Sequence, residues 1–253
     1  MSRSRRHFVI RVLAGLSTLA LAGCDAITNS SWGPKVLRVG ERANRGAQRA
    51  LTGRSELAQE FSEADLSPDF RSNGTANPSD DEYQRLANEQ FRDWTLKVDG
   101  LVRTPRQFSL AQLRLMKVRT QITRHDCVEG WSAIGKWTGV PLSEVLALAR
   151  PQPAARYVVF HCADPMDNDG TRYYESIDLD EAHHPQTILA YELNGAALPV
   201  KNGAPIRVRI ERQLGYKMAK YIMRIELVAE LKGVGGGNGG YWEDQGYEWY
   251  AGI

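Results

Sequence analysis

Three cysteines in 253 residues, only two of them beyond position 24, are too few for a disulfide-built scaffold. No Cys-x-x-Cys-His occurs, which excludes a covalent c-type haem carried by this chain. No apolar run reaches the roughly 20 residues that a membrane-spanning helix needs, and no internal repeat sets a period. Charge of one sign is also missing: 32 Lys and Arg against 30 Asp and Glu leave +2, with Arg3, Arg5, Arg6 and Arg11 all near the start. Such a balance gives no field that would gather nucleic acid or an anionic membrane, so no nucleic-acid partner is expected. What is present is an ordinary 42% of hydrophobic residues, enough for a real core at this length.

The first 24 residues read as an address. A basic start, a short apolar stretch over 12–23 and small residues before Cys24 follow signal-peptide order. Ser4-Arg5-Arg6-His7-Phe8 resembles a twin-arginine export signal, which serves proteins that fold before crossing. Leu21-Ala22-Gly23-Cys24 resembles a lipobox, in which Cys24 becomes the lipidated first residue. Acyl chains there would hold the protein at a membrane by lipid alone, each buried methylene contributing about 0.8 kcal/mol. Asp25 resembles an inner-membrane retention signal. The expected location is the periplasm, anchored to the inner membrane through Cys24.

Residues 25–91 are polar and broken by Gly53, Pro68, Gly74 and Pro78, and read as a tether followed by an arm lying on the domain. The domain is expected over 92–232. It opens on the alternating stretch 94–102, followed by a short helix from a Ser109 cap to Met116. Leu142, Val145, Leu146 and Ala149 share one face of a helix that Pro141 begins. Strands are expected at 156–162, 187–193, 206–210 and 221–231, with Asn194-Gly195 as a hairpin turn. Strands dominate, so the fold class is α+β. A glycine run over 233–240 reads as too flexible to pack, and it leads to an aromatic tail through residue 253 whose rings need something to bury against.

Beyond the signal, Cys127 and Cys162 allow two plain readings. In an oxidising compartment they could close a single disulfide, making a non-catalytic lipoprotein. His161, Cys162, His183 and His184 could hold zinc, although adjacent pairs lack the usual separation. Glu129 and Asp164 are candidate carboxylates beside the cysteines.

Arg124-His-Asp-Cys-Val-Glu-Gly-Trp-Ser132 followed by Trp137-Thr-Gly-Val-Pro-Leu142 resembles the sulfite-oxidase-like molybdopterin family. It is most similar to the periplasmic branch containing the methionine sulfoxide reductase catalytic subunit. The resemblance continues through 155–160, 189–195, Asn202-Gly-Ala-Pro-Ile-Arg207 and Leu214-Gly-Tyr-Lys-Met-Ala-Lys220, covering most of 92–230 in order. It implies the sulfite-oxidase-type fold and a molybdenum-molybdopterin cofactor with Cys127 as the metal's thiolate ligand, a soft ligand suited to that metal. Asn202, Arg207, Lys217, Met218, Ala219 and Lys220 match cofactor contacts, the cations suiting its phosphate. Asn73 matches an upstream contact. Cys162 stands where that branch has a threonine near the cofactor. Two-electron oxo-transfer with a small oxo-donor or acceptor is implied, in the direction of sulfoxide or N-oxide reduction, with electrons from a membrane haem or quinol-linked partner. Sulfite dehydrogenase is the rival activity within the fold.

Overall fold

Alternation of apolar and polar residues builds the first strand, and a single glycine decides how it ends. The computed structural model describes residues 56–167 and 170–253, with Gly53 and isolated positions before it. The expected signal segment, Cys24 included, lies outside the described residues. Contacts group Gly53–Ile253 into one unit. Helix α1 (Asp81–Asn88) is capped by the Asp80 carboxylate, which accepts from Tyr83 N, and buries Tyr83 and Leu86. In β1 (Thr95–Gly100), Leu96 and Val98 turn inward. Gly100 then takes φ +80°, where a Cβ would meet Leu227 O at 2.4 Å.

β2 (Arg106–Ser109) pairs back on β1, and α2 (Leu110–Leu115) begins on a reciprocal cap. Ser109 Oγ accepts from Gln112 N at 3.2 Å, and Gln112 Oε1 accepts from Ser109 N at 2.8 Å. β3 (Arg119–Asp126) and β4 (Ser132–Pro141) follow, then α3 (Leu142–Ala149), whose Leu142, Val145, Leu146 and Ala149 are all fully buried, as their spacing predicts. β5 (Tyr157–Pro165), β6 (Arg172–Asp178), α4 (Leu179–Ala182), β7 (Ile188–Leu193), β8 (Ala196–Ala197), β9 (Arg207–Arg209) and β10 (Ile222–Val228) lead to α5 (Tyr241–Asp244).

Two sheets result. One runs β2-β1-β10-β5-β6, with β1 and β10 parallel; the other runs β3-β4-β7-β8, with β9 on β7. β7 explains how they share a core. Its Leu189 and Tyr191 face the main core with β1, β5 and α3, while Ile188 and Ala190 face a smaller one around Trp137 and Phe70. A strand buried on both sides reads as an unbroken apolar run, which is how 188–191 reads. This is an α+β arrangement, as expected.

Four strands, β2, β3, β4 and β6, and helices α1, α4 and α5 have no counterpart among the sequence expectations. The inward positions of β3 are Gln121, Thr123 and His125, so an apolar alternation test passes over them. The glycine run also departs from expectation, for it packs. A Cβ at Gly235 would lie 1.9 Å from the Tyr174 hydroxyl, and one at Gly240 would lie 2.0 Å from Glu243 Oε2. These glycines are small because neighbours occupy the space, and the tail beyond them lies along β6.

Candidate active site

The site forms where β3 ends. Cys127 sits in a tight turn in which its N–H donates to Trp131 O at 2.9 Å and its carbonyl accepts from Gly130 N at 3.0 Å, with Gly130 at φ +84°. The side chain is 8% exposed at the edge of a cleft of about 730 Å³. Burial, opposed by the Glu129 backbone N–H, holds the thiol above its usual range. Asn73, Glu129, Asp164, Met218 and Lys220 line the same cleft, so six of the residues singled out from sequence converge there. Glu129 is exposed and accepts from Trp131 Nε1 at 3.0 Å. Asp164 is buried, and burial pushes its carboxyl up to about 6 despite its hydrogen bond from Thr75; its Oδ1 has no partner.

Beneath the cleft lies a charged interior. Arg207 and Arg209 alternate on β9 and stand over the Trp137 ring at 5.2 and 4.5 Å. Arg209 is neutralised by Glu211 through bonds of 3.0 and 2.6 Å, and Gln121 donates to the same carboxylate at 2.7 Å. Arg207 has no such partner. It donates only to the carbonyls of Asn202 and Met218, at 3.1 and 3.3 Å, and burial beside Arg209 pushes it down to about 9. Lys220 donates to the carbonyls of Asn73 and Thr75, both at 2.6 Å, and burial next to Arg207 pushes it down to about 7.

His125 adds a donor that the sequence analysis left unassigned. Its Nδ1 lies 3.0 Å from a nitrogen of Arg209 that can only donate, so Nδ1 accepts and the ring proton sits on Nε2, which has no partner. Burial and the three neighbouring cations hold the ring well below the usual histidine range, so it is neutral. The ring fits because residue 215 is glycine: a Cβ there would lie 2.4 Å from Nε2.

This interior suits the cofactor that the motifs imply. Two buried cations satisfied only by carbonyls, and unpaired N–H donors on His125 Nε2 and Arg207 Nε, leave positive charge that an anionic phosphate would compensate. The thiol at the cleft edge supplies the soft ligand.

Other expected residues lie apart from the cleft. Lys217 is fully buried between Glu175, at 2.5 Å, and Glu243, so its ammonium is already engaged. Asn202 is buried and donates to Phe70 O at 3.4 Å, acting on the site through the carbonyl that holds Arg207. Ala219 offers its carbonyl to Val208 N. Cys162, 3% exposed, belongs to the apolar core, and both it and Cys127 are free, so the disulfide alternative is not realised. The zinc alternative fails too: His161 pairs with Glu226, His183 with Leu179 O and His184 with Glu56 O, and no group of three metal-ligating side chains occurs among the described residues.

Tyr173, Tyr216, Trp242 and Tyr247 also line the cleft. The last two come from the tail, for which the sequence signalled only a need for burial.

Comparison with known proteins agrees with this geometry. Residues 83–233 match the family described as the oxidoreductase molybdopterin binding domain. A protein of Azospira oryzae provisionally named protein-methionine-sulfoxide reductase subunit YedZ1 is 39% identical over 251 residues, 98% of this chain and 88% of its own. The protein-methionine-sulfoxide reductase catalytic subunit MsrP of Xanthomonas axonopodis is 34% identical over 238 residues, 90% of this chain and 71% of its own. A free thiol and an uncompensated cationic interior, set in a chain with these relatives, make one assignment: this protein belongs to the oxidoreductase molybdopterin binding domain family and is a molybdopterin-dependent oxidoreductase.

Proposed function

We propose that the chain reduces organic sulfoxides of the methionine sulfoxide class. The observation that carries this reading is the make-up of the cleft around Cys127, lined by four aromatic rings and by the carboxyl groups of Glu129 and Asp164. Sulfite, an anion, would meet the exposed Glu129 carboxylate on its way in. A neutral sulfoxide meets no such repulsion. The relatives' names point the same way.

The overall change is R–S(O)–R′ plus two electrons and two protons giving R–S–R′ and water, so the S–O bond breaks and sulfur is reduced. Molybdenum held by its pterin supplies the two-electron oxo-transfer chemistry. Cys127 would hold the metal as its thiolate ligand. Arg207, Lys220 and the His125 Nε2–H would hold the phosphate-bearing pterin, with Asn73 and Met218 beside them. Asp164 lines the cleft and holds a proton on a buried carboxyl up to about pH 6, where it would be available to the oxygen that leaves sulfur. Glu129 is fixed by Trp131 at the mouth.

Electrons would come from a membrane haem or quinol-linked donor outside the cytoplasm. The export signal and lipobox around Arg5-Arg6 and Cys24 support that location, since a cofactor inserted before export requires a folded passenger.

The test is elemental analysis together with methionine sulfoxide reduction by an artificial donor. Wild type should carry about one molybdenum per chain, the stoichiometry that a single thiolate ligand sets, and should turn over sulfoxide. Cys127→Ser should lose turnover and the thiolate signature of the metal. Loaded wild type that oxidises sulfite and leaves every sulfoxide unchanged would establish the rival activity instead.

A further inference from the structure

Trp242 and Tyr247 stack on each other with ring centres 5.4 Å apart and planes 28° apart. Tyr216, from the 214–220 block, meets Tyr247 edge-on at 5.3 Å. The three rings make a continuous aromatic surface facing the space that Cys127 borders.

This surface is fixed on both sides. Ahead of it, the Asp244 carboxylate gathers the N–H groups of Gly236, at 2.6 Å, and Asn238, at 2.9 Å, and accepts from the Tyr174 hydroxyl. Glu243 reaches inward to Lys217, which also binds Glu175. Behind it, Trp249 Nε1 donates to Ser176 Oγ at 2.8 Å, Tyr216 OH donates to Glu248 O at 2.6 Å, and Leu214 N donates to Ala251 O at 2.9 Å. A segment tied down at so many points is a standing wall, already in its binding arrangement. Its two cleft residues are nonetheless open to a ligand, Tyr247 being 40% exposed.

We infer that the C-terminal strap over 234–253 sets substrate choice: Trp242 and Tyr247 seat the organic group carried by the sulfoxide sulfur, and favour sulfoxides bearing a flat or thioether-rich group over small ones. Sulfur and methyl groups bind well against aromatic faces, and a ring stacks on them. Glu243 acts as a positioning residue, holding the seat to Lys217 in the block whose Tyr216 and Met218 also line the cleft. The inference rests on the sulfoxide reading above.

The experiment compares methyl p-tolyl sulfoxide with dimethyl sulfoxide, using molybdenum-loaded full-length protein and a reduced viologen as donor. Tyr247→Ala and Trp242→Ala should each lower kcat/KM for the aryl sulfoxide about tenfold more than for dimethyl sulfoxide, the factor expected from losing one aromatic contact. The loss should appear mainly in KM. Tyr247→Phe, which keeps the ring, should restore the preference. Gln245→Ala, exposed on the same strap, should change neither substrate. Metal content is measured on every variant. An unchanged ratio between the two sulfoxides in Tyr247→Ala, or loss of metal in both alanine variants, overturns the seat. Wild type inert toward both sulfoxides, though loaded with metal, removes the sulfoxide reading and the seat with it.

Discussion

The apolar core around α3 and the charged interior beneath Cys127 are built from opposite materials. In the first, Leu142, Val145, Leu146 and Ala149 pack against Leu96, Val98 and Phe160, and every partner is interchangeable with another hydrophobe of similar size. In the second, Arg207, Arg209, His125 and Lys220 are buried side by side, and among the described carboxylates Glu211 and Asp164 are the ones that answer them. Burying charge costs free energy unless partners are supplied. The first region therefore stabilises the fold, while the second holds positive charge ready for an anion.

The largest test of this contrast strands charge. Lys217→Met leaves Glu175 and Glu243 buried together without their cation, and should cost about 3–5 kcal/mol of stability, read from urea unfolding. A loss under 1 kcal/mol would show that these carboxylates are neutral in the fold or reached by water.

Leu146→Ala, in the apolar region, should cost about 3 kcal/mol by opening a cavity, while the folded fraction keeps its molybdenum content. Metal loss from folded Leu146→Ala protein would mean that the two regions are not separable.

The last effect is confined to one side of a pH range. Asp164 has a folded pKa of about 6, above the 3.8 of a free aspartate, because burial disfavours its charged form. Its contribution is fullest below about pH 4 and is lost as pH rises through 6. In cofactor-free protein, Asp164→Asn should match wild type near pH 4 and be more stable by roughly 3 kcal/mol at pH 7, at about 1.4 kcal/mol per pKa unit. Equal stabilities at both pH values would place water or an unpaired cation at the carboxyl.

How much the sequence disclosed follows the same division. The helix over 142–149 was legible because four apolar residues at helical spacing can satisfy only one arrangement. The Ser109 cap and the Asn194-Gly195 turn were legible because local hydrogen bonding and positive φ select those residues. β3 was not legible, since Gln121 and His125 look like surface residues until Glu211, Gln186 and Arg209 arrive from 65 or more positions away to meet them. Lys217 and Lys220 stand three residues apart in one block, and nothing local shows that one is neutralised by two carboxylates and the other is bound only by carbonyls.

The sequence by itself determined the chemistry available: one thiol in a motif that implies a metal, cations in a fixed order, and elements whose periodicity demands burial. Only the tertiary structure decided which of those groups share a cleft. It set Cys162 in the core and Cys127 at the edge, and it carried Trp242 and Tyr247 from the chain's end to the site. The reason is physical, because burial and charge compensation depend on neighbours in space, and those neighbours come from distant parts of the chain.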